Sequence, residues 1–470
     1  MTSEFRRNAT SALQQDDVQT NLNRVVHKLR EHRQAAWIAA DEWRQLRRHC
    51  QAIRENAVRK LPQLLEQLET NLIRNGIQVH WAETAEQANH VVLSIMQRHD
   101  AKLIIKGKSM VSEEIALNHF LMQHGIQALE TDLGEFIIQL AGEKPAHIIV
   151  PALHKNRRQI AELLHRHFPG YAYTEDVDEL AQLARKILRD HFQFARVGLT
   201  GVNFMIAESG TLCLVENEGN GRMCSTIPPV HIAVTGIEKV VEKLSDIPPL
   251  LSILTRSATG QPITTYFNMI SAPRQPGEKD GPREVHVVLL DNGRSTSYRD
   301  RELAATLRCI RCAACINHCP VYQHIGGHAY GTVIPGPIGS ILEPQQRGLD
   351  RYGELTQAST LCGACTEVCP VGIPIADILN RLRWDATRQD ADCSTPGAGS
   401  GYIPAQTALW KLWAWQCTHP GAYRLSTRLA TRLRVVLPGY FDAWTNVRTM
   451  PKLAKTTLHE RLKALGIDHE

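Results

Sequence analysis

The placement of the cysteines constrains this chain more than any other feature. Seven of its twelve cysteines fall between positions 309 and 369, in two runs. The first reads Cys309-x2-Cys312-x2-Cys315-x3-Cys319-Pro320, the second Cys362-x2-Cys365-x3-Cys369-Pro370. An x2-x2 spacing lets successive thiols point from one loop to separate corners of a common centre. The x3 step opens a helix and turns its cysteine away. The proline that follows ends the loop and removes a backbone donor. The second run lacks a leading cysteine, and Ser359 stands in that place.

This spacing is that of the two-cluster bacterial ferredoxin, where each run gives three thiolates to one iron–sulfur cube and a fourth to the other. By that crossing rule, Cys309, Cys312, Cys315 and Cys369 are expected to hold one [4Fe-4S] cluster. Cys319, Cys362 and Cys365 are expected to hold a second. Its fourth iron is left to Ser359, water or a partner's ligand, or is lost to give a three-iron form. Four-cysteine zinc sites also use C-x2-C pairs. However, zinc rarely uses the full first run, and seven ligands do not divide into fours. A disulfide framework fits less well, because the cysteines are clustered rather than spread as staples. Cys50, Cys213, Cys224, Cys393 and Cys417 are scattered and read as small buried apolar residues.

The length of 470 residues implies two or three domains. With 43% apolar and 21% charged residues, the composition is that of a globular chain. A net charge of +5 is too mild to argue for nucleic acid. The arginines of the stretch 44–54 read as a solvated helix face. The start shows no signal peptide, and no apolar run reaches the ~18 residues of a membrane span. A cytoplasmic protein is expected, membrane-peripheral at most through partners.

Residues 1–75 carry apolar residues at helical spacing, such as Leu61, Leu64, Leu65, Leu68 and Leu72, and predict a helical arm or lid. From 76 on, short apolar runs alternate with amphipathic stretches. Strands are predicted at 77–81, 102–106, 127–131, 146–150, 202–207, 210–215, 230–234 and 284–290. Helices are predicted at 84–97, 111–124, 157–167 and 249–260, with another beginning at 239–244. Such alternation predicts a mostly parallel α/β sheet. Residues 301–307 and 375–388 predict helices around the cysteine runs, and 392–401 a linker. The tail from 404 is helical and carries Trp410, Trp413, Trp415 and Trp444. The shared face of Trp410 and Trp413 either packs on the chain's own surface or docks a partner.

Three polar motifs stand out in the α/β region. Lys106-Gly-Lys-Ser109 follows a strand and opens a helix, which suits either an anion or a simple turn capped by Ser109. Glu208-Ser-Gly-Thr211 and the glycine-rich loop Glu218-Gly-Asn-Gly-Arg222 flank one strand and either line a pocket or make hairpin turns. Crossover topology could bring such loops to one sheet edge. No dinucleotide-binding G-x-G-x-x-G follows the first strand.

These motifs, with Ala207 leading the second, resemble a lactate-utilisation (LUD) domain. Joined to the two cysteine runs and a tryptophan-bearing tail, they make the chain similar to the lactate utilisation protein B family from about residue 20 to 465. The absent leading cysteine of the second run belongs to that family's pattern. The resemblance implies an α/β domain similar to the sugar-phosphate isomerase and CoA-transferase-like fold, plus a mainly helical ferredoxin-type domain. It implies divisions at 1–75 (helical), 76–298 (LUD), 299–390 (two-cluster) and 391–470 (helical, tryptophan-rich). It further implies an iron–sulfur electron-transfer subunit of a complex oxidising L-lactate to pyruvate. The implied partners are a cysteine-rich, heterodisulfide-reductase-like subunit and a small LUD protein. A competing expectation is an enzyme whose LUD domain acts directly on a small anionic substrate, with the clusters as electron outlet. No catalytic residue follows from the resemblance.

Overall fold

The computed structural model describes residues 4–37, 40–387, 404–434 and 452–467. The chain forms two units, 1–400 and 401–470. Cys393 and Trp444 lie outside the described residues.

The first unit contains all ten strands found among the described residues: β1 (Gln78–Ala82), β2 (Leu103–Gly107), β3 (Gln127–Glu130), β4 (Val197–Thr200), β5 (Phe204–Ile206), β6 (Thr211–Glu216), β7 (Val230–Gly236), β8 (Val240–Val241), β9 (Tyr266–Ile270) and β10 (Glu284–Leu290). Six of them make a sheet in the order β1-β10-β7-β4-β2-β3, and every pair in it is parallel. The strands β4, β7 and β10 are buried along almost their whole length, as expected where helices cover both faces of a parallel sheet. A second sheet, β8-β5-β6-β9, carries the β5–β6 hairpin predicted from the sequence.

The helices Asp16–Ala35, Ala40–Arg59 and Leu61–Arg74 precede the sheet. They form no free arm. Leu61, Leu64, Leu68 and Leu72 are buried against β5, β6 and β10 residues, each stabilising the fold by roughly 1.5–3 kcal/mol. Leu22, Val26 and Cys50 share a core with the cysteine loops instead.

Several elements differ from the sequence expectation. Residues 146–150 form no strand: His147 Nδ1 accepts from the amides of Ile149 and Val150, which closes the segment on itself. The segment packs on the cysteine region, where Tyr322 Oη donates to Ala146 O at 2.7 Å. A short apolar run does not by itself select strand over loop. The helix expected at 111–124 is split into Met110–Glu114 and Leu117–Gln123, because Ala116 takes a left-handed conformation at φ 52°. The glycine-rich stretch 218–222 is not simply a loop. Gly219, at φ 81°, caps a helix over Asn220–Thr226. That helix lies so close to β4 that a Cβ on Gly198 would fall 1.9 Å from Cys224 O. Residues 239–244 hold β8 rather than a helix, and the next α-helix runs over Ile247–Ala258.

Around the cysteines the elements are short: Ala314–Asn317, Pro320–Ile325, Gly336–Arg347 and Ala364–Glu367, then the longer Ile375–Thr387. The second unit contains helices Pro404–Thr418, Pro420–Leu433 and Leu458–Ala464 among its described residues. Trp410 and Trp413 meet edge to face at 5.6 Å, and both are more than half exposed. No described helix is long and apolar enough to cross a membrane.

Candidate functional site

Cys312, Cys315 and Cys319 recur exactly in spacing, 50 residues later, as Cys362, Cys365 and Cys369, and the backbone repeats with them. Arg311 and Ala313, both at φ 60°, flank Cys312; Leu361 at φ 55° and Gly363 at φ 81° flank Cys362. Non-glycine residues rarely adopt this conformation, and it persists where surrounding structure enforces it, as at functional sites. Each loop then enters a one-turn helix, Ala314–Asn317 or Ala364–Glu367. Ser359 occupies the place of Cys309 in this repeat. The Arg311 amide donates to Cys309 Sγ at 3.4 Å, and the Leu361 amide donates to Ser359 Oγ at 3.1 Å.

The two runs interleave. Cys309, Cys312, Cys315 and Cys369 lie within electrostatic reach of one another and line a common apolar cavity with Ile148, Ile310, Ile338 and Ile373. Cys319, Cys362 and Cys365 form a second set. Cys315 also senses Cys365, so the two sets are neighbours. Six of the seven thiols are buried; Cys362 is exposed.

Burial pushes the Cys312 thiol up to about 12 and those of Cys365 and Cys369 to about 11. Backbone N–H groups work against burial, as where Ile373 N donates to Cys369 Sγ at 3.4 Å. Such thiols give up their protons to a metal rather than to water. In chemistry and spacing the donor set fits iron–sulfur clusters, which would supply one-electron redox chemistry.

Three arginines of the N-terminal helices hold these loops, and sequence reasoning missed them. Arg47 donates to Cys369 O at 2.7 Å and Thr366 O at 3.2 Å. Arg54, 1% exposed, donates to Val240 O at 2.7 Å, Glu238 O at 2.5 Å, Leu307 O at 3.0 Å and Arg308 O at 3.2 Å. It is no part of a solvated face. Arg33 stacks on Trp43 and lies within electrostatic reach of Cys312. Arg311 and Lys239 sense Cys309. Burial lowers Lys239 to about 8 and Arg54 to about 10. Burial alone would raise the Glu238 carboxyl, but Arg294, Lys239 and Arg311 outweigh it and hold it at about 2. The first cysteine set therefore faces a positive shell, which favours the more negative, reduced state of a bound cluster.

The polar motifs of the α/β domain sort differently. Lys106-Gly-Lys-Ser109 and the stretch 218–222 do meet, beyond the C-terminal ends of β2 and β3, where parallel sheets bind ligands. Asn220 Nδ2 reaches Thr131 Oγ1 at 3.3 Å, and the Leu133 amide donates to Glu218 at 3.3 Å. Ser109 caps the following helix, as expected. However, Lys106 is not available to an anion. It is 1% exposed, and its Nζ donates to Glu130 at 2.6 Å, Asn118 at 2.6 Å and Glu113 at 3.0 Å. Lys108 pairs with Asp132. Burial raises Glu135 well above the usual carboxylate range and raises Glu218 as well. Arg222 stacks on Tyr266 at 4.8 Å. The third motif, 208–211, lies elsewhere and is structural: Asn71 donates to Ala207 O and Glu208 O, and Asn75 to Ser209 O. Of the scattered cysteines, Cys50, Cys213 and Cys224 are buried as expected, whereas Cys417 is exposed.

The sequence matches three family models: the LUD domain over 65–290, a 4Fe-4S dicluster domain over 305–373, and the C-terminal region of lactate utilisation protein B over 381–467. It is 39% identical to Lactate utilization protein B of Bacillus velezensis, over 98% of this chain and 97% of that one. Against the protein of the same name from Bacillus subtilis it is 38% identical, over 98% and 96%. Against that of Geobacillus thermodenitrificans it is 43% identical, over 87% and 86%. A solved DUF162 family protein from Deinococcus radiodurans aligns with 49% of this chain and 98% of its own at 16% identity, with a TM-score of 0.28. With relatives this similar along nearly the whole length, the chain belongs to the lactate utilisation protein B family.

Proposed function

We propose that this chain is the iron–sulfur electron-transfer subunit of a cytoplasmic complex that oxidises L-lactate to pyruvate. Cys309, Cys312, Cys315 and Cys369 would hold one [4Fe-4S] cluster. Cys319, Cys362 and Cys365 would hold the other, with the place of Ser359 at its fourth iron. The observation that carries this reading is the interleaving of the two runs, with Cys369 among the first set and Cys319 among the second. Lactate oxidation releases two electrons, and two one-electron clusters can take them in turn. The chain's own residues set the loop geometry through Arg47 and Arg54 and tune the clusters through nearby positive charge. The other subunits would be a cysteine-rich, heterodisulfide-reductase-like protein and a small LUD protein.

The competing reading, an α/β domain that binds a small anionic substrate itself, loses its leading cation, because Lys106 is already surrounded by carboxylates. The α/β domain, which we relate to the sugar-phosphate isomerase and CoA-transferase-like fold, then serves as a scaffold for the clusters. EPR of the anaerobic three-protein complex tests the proposal. Reduction of both clusters on adding L-lactate is expected, and unchanged spectra would refute it.

A further inference from the structure

At the N-terminal edge of the parallel sheet, away from both sites above, three donor atoms converge. Glu284 opens β10, His286 lies two residues further along the same strand, and His99 follows the helix Ala85–Arg98. Glu284 Oε2 stands 3.2 Å from His99 Nε2 and 3.4 Å from His286 Nε2. All three atoms lie within 4.8 Å of one another. The His286 side chain is fully buried, yet its Nε2 has no hydrogen-bond partner. A buried nitrogen left without a partner costs roughly 1–3 kcal/mol unless something else occupies its lone pair.

The separations have a specific meaning. Two ligands at ~2.0–2.1 Å from a tetrahedral zinc ion stand ~3.3 Å apart, close to the two distances seen. The other nitrogen of His286 is also arranged as metal sites require. His286 Nδ1 lies 3.1 Å from His80 Nε2, a hydrogen bond that can hold the ring with Nε2 free to ligate. His99 and Glu284 are partly exposed, at 25% and 39%, which leaves a route for the ion and a coordination position for water. Two imidazoles and one carboxylate suit a borderline transition metal and not calcium or magnesium, which prefer oxygen.

We propose that His99, Glu284 and His286 form a site for one divalent transition metal of the zinc type. Bound there, the ion would tie the end of the helix Ala85–Arg98 to the start of β10.

The test uses the full chain with its clusters reconstituted, equilibrated anaerobically with Zn(II) and freed of excess metal by gel filtration. Zinc and iron are measured in the same sample. One equivalent of zinc with undiminished iron is expected, falling at least tenfold in His99→Gln and in Glu284→Gln. Both variants alter partly exposed side chains, and their unchanged iron content reports that they fold. Zinc should also raise the thermal midpoint of the native chain and leave that of the variants unmoved. No zinc uptake by the native chain, equal uptake by the variants, or uptake matched by iron loss would each overturn the proposal.

Discussion

Two side chains show best how single residues shape the cluster region. Ser359 takes the amide hydrogen bond that Cys309 takes in the first run, so its backbone already has the geometry of a cluster ligand. Its oxygen is a harder donor than thiolate and binds iron of a cluster more weakly. Replacing it with cysteine should close the second cluster: mild oxidation should give a three-iron EPR signal in the native protein and one several-fold weaker in Ser359→Cys. Equal signals would show that position 359 does not reach the cluster. Arg54 is the second case. Its guanidinium satisfies four carbonyls in a region closed to water. Arg54→Leu leaves them unpaired and should cost on the order of 3–5 kcal/mol, read as a large drop in thermal midpoint with faster iron loss. The cysteine ligands are legible in the sequence because their spacing is a local property. Arg54 is not legible as a contact, because its partners lie far along the chain. One local sign was available: Trp43, Arg47, Cys50 and Arg54 recur at steps of four, three and four, so these arginines share the stripe that faces the core.

Among elements, period decided what could be read. β2, β7 and β10 are rich in apolar residues, β1 and β3 mix polar with apolar ones, and each of the five forms close to its expected position. β4 was missed because Val197–Thr200 is only four residues long and includes a glycine. β9 was missed although four of the five residues in Tyr266–Ile270 are apolar; it is an edge strand of the second sheet, and none of its residues is fully buried. The expected strand at 146–150 failed for lack of a neighbour to pair with, its polar groups being taken up locally by His147. Within β7, His231 is fully buried, and burial lowers its imidazole to about 3, helped by the nearby His286. The unfolded chain binds that proton near pH 6.5 and the folded one does not until near pH 3, so stability falls as pH drops from 6.5. The thermal midpoint should decline between pH 7 and 5 in the native chain. It should decline less in His231→Gln, whose amide can still bond Thr200, the partner of His231 at 2.9 Å. Equal slopes would remove His231 as a cause.

At the scale of the whole chain, the α/β domain and the cysteine domain are not independent beads. The N-terminal helices supply the clamp on the cluster loops, and residues 146–150 leave the sheet region to line the first cysteine cavity through Ile148. A cysteine region built into a larger scaffold in this way keeps the thiols of the first set buried, while Cys362 gives the second set a face toward solvent. Electrons would then enter or leave by the second cluster. The central claim is that each cluster draws its thiols from both cysteine runs. Single cysteine-to-serine variants, purified anaerobically and compared by EPR with iron and sulfide content, test it most directly. Cys312→Ser and Cys369→Ser should perturb the same signal and leave the other intact, while Cys319→Ser and Cys362→Ser perturb that other one. Should Cys319→Ser instead alter the signal of Cys312→Ser, or should the native protein prove colourless or filled with zinc, the account would be contradicted.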